Sequence, residues 1–199
     1  MDLQGQTFGV WDPDLFVNGT TSSLLGFVFK NGQGTASSPS VLHIRSGSLL
    51  ISYCDFTQNN ASAPYAAVSV AESANAAGTP SLISFSQCSF TNNVGGAVSV
   101  GHRPNRVVAF QACTFVGNSA DSGAAITANS SSLIIAKCTF TNNSATLQMG
   151  GAVLAQAPDS ASPSSVKVVI SDSTFTGNSA KLQGYAFLSL SLSLSLPTN

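Results

Sequence analysis

Apolar and polar residues along this chain alternate in short bursts, not at helical spacing. Leu49 and Ile51 are separated by one residue, two residues intervene before Cys54 and Phe56, and Asn59 follows after two more. Apolar side chains at alternate positions share one face of a strand, so Leu49 and Ile51 predict one short strand facing an interior and Cys54 and Phe56 a second. The two-residue gap breaks the period of two and puts a turn between them. The same spacing returns in Ile83-x-Phe85-x-x-Cys88-x-Phe90-x-x-Asn93, Val108-x-Phe110-x-x-Cys113-x-Phe115-x-x-Asn118 and Leu133-x-Ile135-x-x-Cys138-x-Phe140-x-x-Asn143. A fifth copy, Val168-x-Ile170-x-x-Ser173-x-Phe175-x-x-Asn178, has Ser in place of Cys.

Each copy is followed by a patch of small residues and a further apolar pair, clearest in Gly95-Gly96-Ala97-Val98-x-Val100 and Gly150-Gly151-Ala152-Val153. The pair predicts a third short strand, entered through glycines where the backbone turns tightly or approaches a neighbour. No window has apolar residues at i, i+3, i+4 and i+7, which excludes amphipathic helices. Phe90, Phe115 and Phe140 follow one another at about 25 residues, within the range of solenoid repeats. One such unit cannot bury its own inner face, but like units stacked about 4.8 Å apart bury a continuous core. The predicted fold is all-β: a right-handed parallel β-helix of three short strands per coil and about five to six coils. Residues 1–48 read as a degenerate N-terminal coil or cap, 49–187 as the repeats, and 188–199 as a low-complexity Leu-Ser tail.

In-register stacking turns each motif position into a row of like residues. Phe56, Phe90, Phe115, Phe140 and Phe175 are expected to stack as an apolar ladder. Asn59, Asn93, Asn118, Asn143 and Asn178 are expected to bond to one another and to the turn backbone, a structural duty before any ligand contact. Cys54, Cys88, Cys113 and Cys138 share one register, where buried packing and disulfides between neighbouring coils are both open; Ser173 shows that a small residue suffices there. No Cys-x-x-Cys pair occurs and the two histidines stand apart from this row, so no metal site and no cofactor are expected.

Composition narrows the partners. The 199 residues are 43% hydrophobic but only 8% charged, with Ser, Thr, Asn and Gly where surfaces ordinarily carry Lys and Glu. A net charge of −1 with seven scattered basic residues offers no stripe for nucleic acid. No run of about 18 apolar residues encodes a membrane-spanning helix. The N-terminal Met1-Asp2-Leu3-Gln4-Gly5-Gln6 has neither the basic start nor the apolar stretch of a secretory leader. Four Asn-x-Ser/Thr sequons, at Asn18, Asn60, Asn129 and Asn142, are no more than such a composition yields by chance.

Phe-x-x-Asn alternating with Gly-Gly-Ala-Val resembles the repeat of chlamydial polymorphic outer membrane proteins, over residues 49–187. The resemblance implies a secreted β-helix with an adhesive role, and hence an extracellular or cell-surface place and a cell-surface protein or glycan as partner; the family's C-terminal barrel is absent. Parallel β-helices also host pectin-lyase-like enzymes, so the alternative is a fragment of a polysaccharide-acting enzyme whose catalytic coils flank this segment. Such sites need clustered charge. Only Asp12 and Asp14 are near neighbours in sequence among the acids, so no catalytic residue is expected.

Insertions are expected at the corner between the third strand of one coil and the first of the next: 71–80, 101–106 and 155–165. Loops gathered on one side of a solenoid form its usual binding face, and Glu72, His102, Arg103, Arg106 and Asp159 are the candidate contacts. The Leu188–Leu196 run of strict Leu-Ser alternation is what a CT dinucleotide repeat encodes, and is read as a misread intron or truncated gene model.

Overall fold

In the computed structural model the described residues are 9–11, 22–34, 41–44, 47–61, 66–70, 81–101, 106–129, 131–156 and 167–182. Every strand among them is short, and every pairing is parallel, between one strand and its counterpart one repeat away. Three six-stranded sheets result. The first sheet consists of Ser22–Leu25, Leu49–Ser52, Ser81–Ser86, Arg106–Gln111, Ser132–Ala136 and Val168–Ser171. The second holds Val28–Lys30, Asp55–Thr57, Ser89–Thr91, Thr114–Val116, Thr139–Thr141 and Thr174–Thr176. The third holds Gly9–Trp11, Leu42–Ile44, Val68–Val70, Val98–Val100, Ile126–Asn129 and Val153–Gln156. A fourth sheet of Ser119–Ala120, Ser144–Ala145 and Ser179–Ala180 is added where the turn after the asparagine extends. The expected all-β parallel solenoid with three strands per coil is therefore the fold, and coils are numbered one to six from Ser22, Leu49, Ser81, Arg106, Ser132 and Val168.

Coil one lies in the stretch read from the sequence as degenerate. Its Leu24 pairs with Ile51 and its Phe29 with Phe56, which puts Phe27 in the cysteine register and Gly32 in the asparagine register. Those two substitutions hid the copy.

The inner faces converge on one continuous core. Leu49, Ile51, Cys54, Phe56, Ile83, Phe85 and their successors are buried. Phe56, Phe90, Phe115, Phe140 and Phe175 are opposed in register, with ring centroids 4.5–5.0 Å apart and ring planes within 6° of parallel. Phe85 and Phe110 form a second stack at 4.9 Å and meet the first edge-on. Burial of each ring contributes about 1.5–3 kcal/mol relative to exposure.

The two corners flanking the second sheet are each made by a single residue with left-handed backbone. At the corner before the cysteine register stand Gly26, Tyr53, Gln87, Ala112, Lys137 and Asp172; at the corner before the asparagine register stand Asn31, Gln58, Asn92, Gly117, Asn142 and Gly177. Side chains other than Gly, Asn and Asp are disfavoured here by about 1–2 kcal/mol. They persist because the coil-to-coil hydrogen bonds run on through the corner, as from Ala112 N–H to the Ala136 carbonyl at 2.9 Å. Ala112 is exposed at φ 52°, so Ala112→Gly is expected to stabilise the chain by up to about 1 kcal/mol. Thermal melting checks this, and a lowered melting temperature would show that the corner carries no strain.

The third strand is entered through Gly150 in coil five with φ +73°, where a Cβ would come within 3.0 Å of the Val153 carbonyl oxygen. That position demands glycine, as the small-residue patch suggested.

Candidate functional site

The asparagine row is the most highly connected polar feature of the chain. In each coil from two to five the Nδ2 group donates to the carbonyl of the preceding coil's phenylalanine and to Oδ1 of the next asparagine, as in Asn118 to Phe90 and to Asn143, both at 2.9 Å. Each Oδ1 accepts in turn from the backbone N–H and the Nδ2 of the asparagine before it, as Asn118 does from Asn93 at 3.0 and 2.9 Å. In coil one, where Gly32 has no side chain, its backbone N–H donates to Asn59 Oδ1 at 2.9 Å. Asn59, Asn93, Asn118 and Asn143 are fully buried and Asn178 nearly so. Their amides face inward and serve the fold.

The cysteine row is likewise interior. All four thiols are free and buried. Cys113 Sγ donates to the carbonyls of Phe85 and Gln111 at 3.5 and 3.4 Å, and the other three repeat the pattern. Of the two arrangements open from the sequence, buried packing is the one present. Ser173 closes the row with the same connections, its hydroxyl accepting from Cys138 N–H at 3.0 Å and donating to the Ser171 carbonyl at 2.8 Å. Hydrogen bonding along the row and then burial push the thiols of Cys54 and Cys113 above the ordinary thiol range. The same hydrogen bonds lower the thiols of Cys88 and Cys138, so it is burial, common to all four, that shields the row; the native chain is expected to resist a thiol-specific reagent at neutral pH, with four thiols titrating on denaturation. Rapid reaction of the native protein would contradict this burial.

Of the candidate loop contacts, Glu72, His102, Arg103 and Asp159 lie outside the described residues. The strand ends around them, Val70 and Ser81, Gly101 and Arg106, Gln156 and Lys167, do face the corner between the third and first sheets. Arg106 requires a correction. It is not a loop residue but the first residue of its strand, opposite Ser81. Alternation back from Phe110 and Val108 turns it inward, where it is fully buried with Nε directed to Ser81 Oγ at 3.4 Å. Connection length also varies at a second corner, between the second and third sheets, from Thr91–Val98 to Thr141–Val153. Insertion is thus not confined to one corner.

That second corner holds a cleft of about 260 Å³ that sequence reasoning did not identify. Ala66, Gly96 and Ala120 keep it open by their small size, and Asp121, Thr127 and Gln148 supply polar groups. Ser122 Oγ donates to Gln148 Oε1 at 2.9 Å and Thr127 Oγ1 to the carbonyls of Ser122 and Gly123 at 3.2 Å, which orients the rim. Asp121 is exposed. The signal in the sequence was the small-residue patch, whose Ala66, Gly96 and Gly123 line the cleft.

Among the described residues no three His, Cys, Asp or Glu side chains gather as a metal site, and no helix is long and apolar enough to cross a membrane. No curated protein and no solved structure matches the chain significantly. The model of one family, the right-handed β-helix region, matches residues 29–193, from the first phenylalanine of the stacked row onward. The parallel coils, the in-register ladders and this match agree, and the chain belongs to the right-handed β-helix family.

Proposed function

We propose that this chain is a non-catalytic β-helix of an extracellular or cell-surface protein, with an adhesive or structural role. The observation that carries the reading is the division of polar groups. The amides are ladders inside the solenoid, and the outward positions of the second sheet carry mainly Ser and Thr with little charge, while those of the first sheet mix Ser with exposed aliphatic side chains such as Leu50, Leu82 and Ile134. A rigid, nearly neutral, hydroxyl-rich surface suits recognition of a cell-surface protein or glycan by shape and hydrogen bonding. The likeness of Phe-x-x-Asn and Gly-Gly-Ala-Val to the repeat of polymorphic outer membrane proteins supports adhesion. The loop corner around Glu72, His102, Arg103 and Asp159 and the cleft beside Asp121 are the places for the contact.

The alternative, a fragment of a pectin-lyase-like enzyme, needs carboxylates in reach of one bond. Among the described residues the carboxylates are Asp55, Asp121 and Asp172, in coils two, four and six. Two coil spacings alone part neighbours by about 9–10 Å, at or beyond the separation glycosidases use.

The test coats beads with the full chain and measures their retention on cultured cells and on an array of glycans. Retention that Asp121→Ala with Gln148→Ala lowers, or that an alanine change at His102 and Arg103 lowers, supports adhesion. Release of unsaturated uronides or new reducing ends from pectin by the same preparation would replace it with the enzymatic reading.

A further inference from the structure

The second sheet carries a feature that adhesion does not require. Its strands read Ser89-Phe90-Thr91, Thr114-Phe115-Val116, Thr139-Phe140-Thr141 and Thr174-Phe175-Thr176 in coils three to six. The phenylalanine points inward and the two flanking residues point outward. Two parallel outward rows follow: Ser89, Thr114, Thr139 and Thr174 in one, Thr91, Val116, Thr141 and Thr176 in the other, each in direct register between coils. Thr114, Thr139, Thr174 and Thr176 are exposed and the others half-buried.

The rings beneath set the geometry of this face. Between coils three and six the phenylalanine planes stay within 3° of parallel at centroid spacings of 4.5–4.7 Å. Successive coils therefore scarcely rotate, and the face above is flat, with a repeat of that size along the solenoid. Across it, two residues of one strand on the same side lie about 6.5–7 Å apart. The close-packed core gives the face a rigid backing.

We propose that this face binds ice. Its two repeats are close to those of the oxygen rows on a prism face of ice, so each threonine row meets a row of lattice water in register. The hydroxyl offers a donor and an acceptor, and the neighbouring methyl sits in the hollow between waters; Val116 keeps the methyl and the volume of threonine. The charge of the face fits the same occupant. Its eight outward positions in coils three to six carry no ionised side chain, whereas the strands of coils one and two bring Lys30 and Asp55 and end the array. An uncharged lattice is the matching partner, because a charge on the face would have to give up part of its hydration to sit against it. In coil three Ser89 and Thr91 hydroxyls lie 3.2 Å apart and bond to each other, so the regular part of the array begins at Thr114. The inference is independent of whether the chain is adhesive.

The test measures inhibition of ice recrystallisation and the gap between melting and freezing points with the full chain. The parent is expected to halt grain coarsening and to shape the growing crystals. Thr114→Lys with Thr139→Lys is expected to lose both effects. Thr139→Val and the control Ile134→Lys, on the outward side of the first sheet, are expected to keep them, with far-UV circular dichroism showing that each variant is folded. If the double variant does not fold, the single Thr139→Lys takes its place. A folded parent without effect on ice, or a folded lysine variant as active as the parent, overturns the proposal. So does a face that instead holds the chain on an insoluble glycan and leaves ice growth untouched.

Discussion

Replacing Asn118 with alanine is expected to destabilise the chain by about 3–5 kcal/mol, although the change removes only one small amide. The amide takes part in four hydrogen bonds, donating to Phe90 and Asn143 and accepting twice from Asn93. Its loss leaves the Asn93 backbone N–H without that partner at a fully buried site and removes one of the four hydrogen bonds of each neighbouring asparagine side chain. Each buried donor or acceptor left unsatisfied costs about 1–3 kcal/mol. Glutamine should not rescue the variant, because the added methylene pushes the amide out of register with both neighbours. Asn178 makes the same kind of connection to Asn143 and Phe140 but stands in coil six. There it is 8% exposed, so water can replace part of what alanine removes and the cost should fall to half or less. Chemical denaturation followed by far-UV circular dichroism measures both. Equal, small losses at the two positions would mean that the row is a consequence of stacking and not a support for it.

Phe115→Ala is expected to cost a similar amount, about 3–5 kcal/mol, for a different reason. Phe115 is fully buried, stacked at 4.7 Å on Phe90 and on Phe140, and touched edge-on by Phe110 at 5.5 Å. Truncation removes the transfer energy of the ring and leaves a cavity between two rings that the backbone hydrogen bonds hold apart, so collapse cannot fill it. Phe175→Ala removes a ring that is half-buried and stacked on Phe140 at 4.5 Å, and should cost less than half as much. The comparison isolates the effect of full burial. A cost at Phe175 as large as at Phe115 would show that full burial adds nothing to the stability of the core. Because a solenoid's stability is close to a sum over coils and their interfaces, the two substitutions together in separate coils should add.

Much of this was legible in the sequence because the repeat places chemically like residues at like positions. Alternation marked the strands, the two-residue gaps marked the corners, and five copies of Phe-x-x-Asn marked the rows that stack. Coil one escaped because recognition relied on Cys and Asn, and Phe27 and Gly32 occupy those places. Arg106 was misplaced because a basic residue beside Pro104 and Asn105 reads as loop; only the pairing with Ser81 reveals that the strand begins two residues before Val108, its first inward-facing apolar position. The cleft at Asp121 and Gln148 escaped for another reason. Its walls come from coils two to five, and the small-residue patch that opens it was read only as the entry to the third strand.

Which side chains face inward and which segments repeat can be read from the chain alone, since both follow from periods of two and of about 25 residues. Tertiary structure alone decided how the rows are connected. The direction of the asparagine chain, the free thiols in the cysteine row, the left-handed corners at Tyr53 and Lys137 and the flatness of the threonine face all depend on contacts between one coil and the next. Those contacts join residues that are neighbours only once the coils are stacked, and the energies that select among the arrangements are those of hydrogen bonds and packing across that spacing.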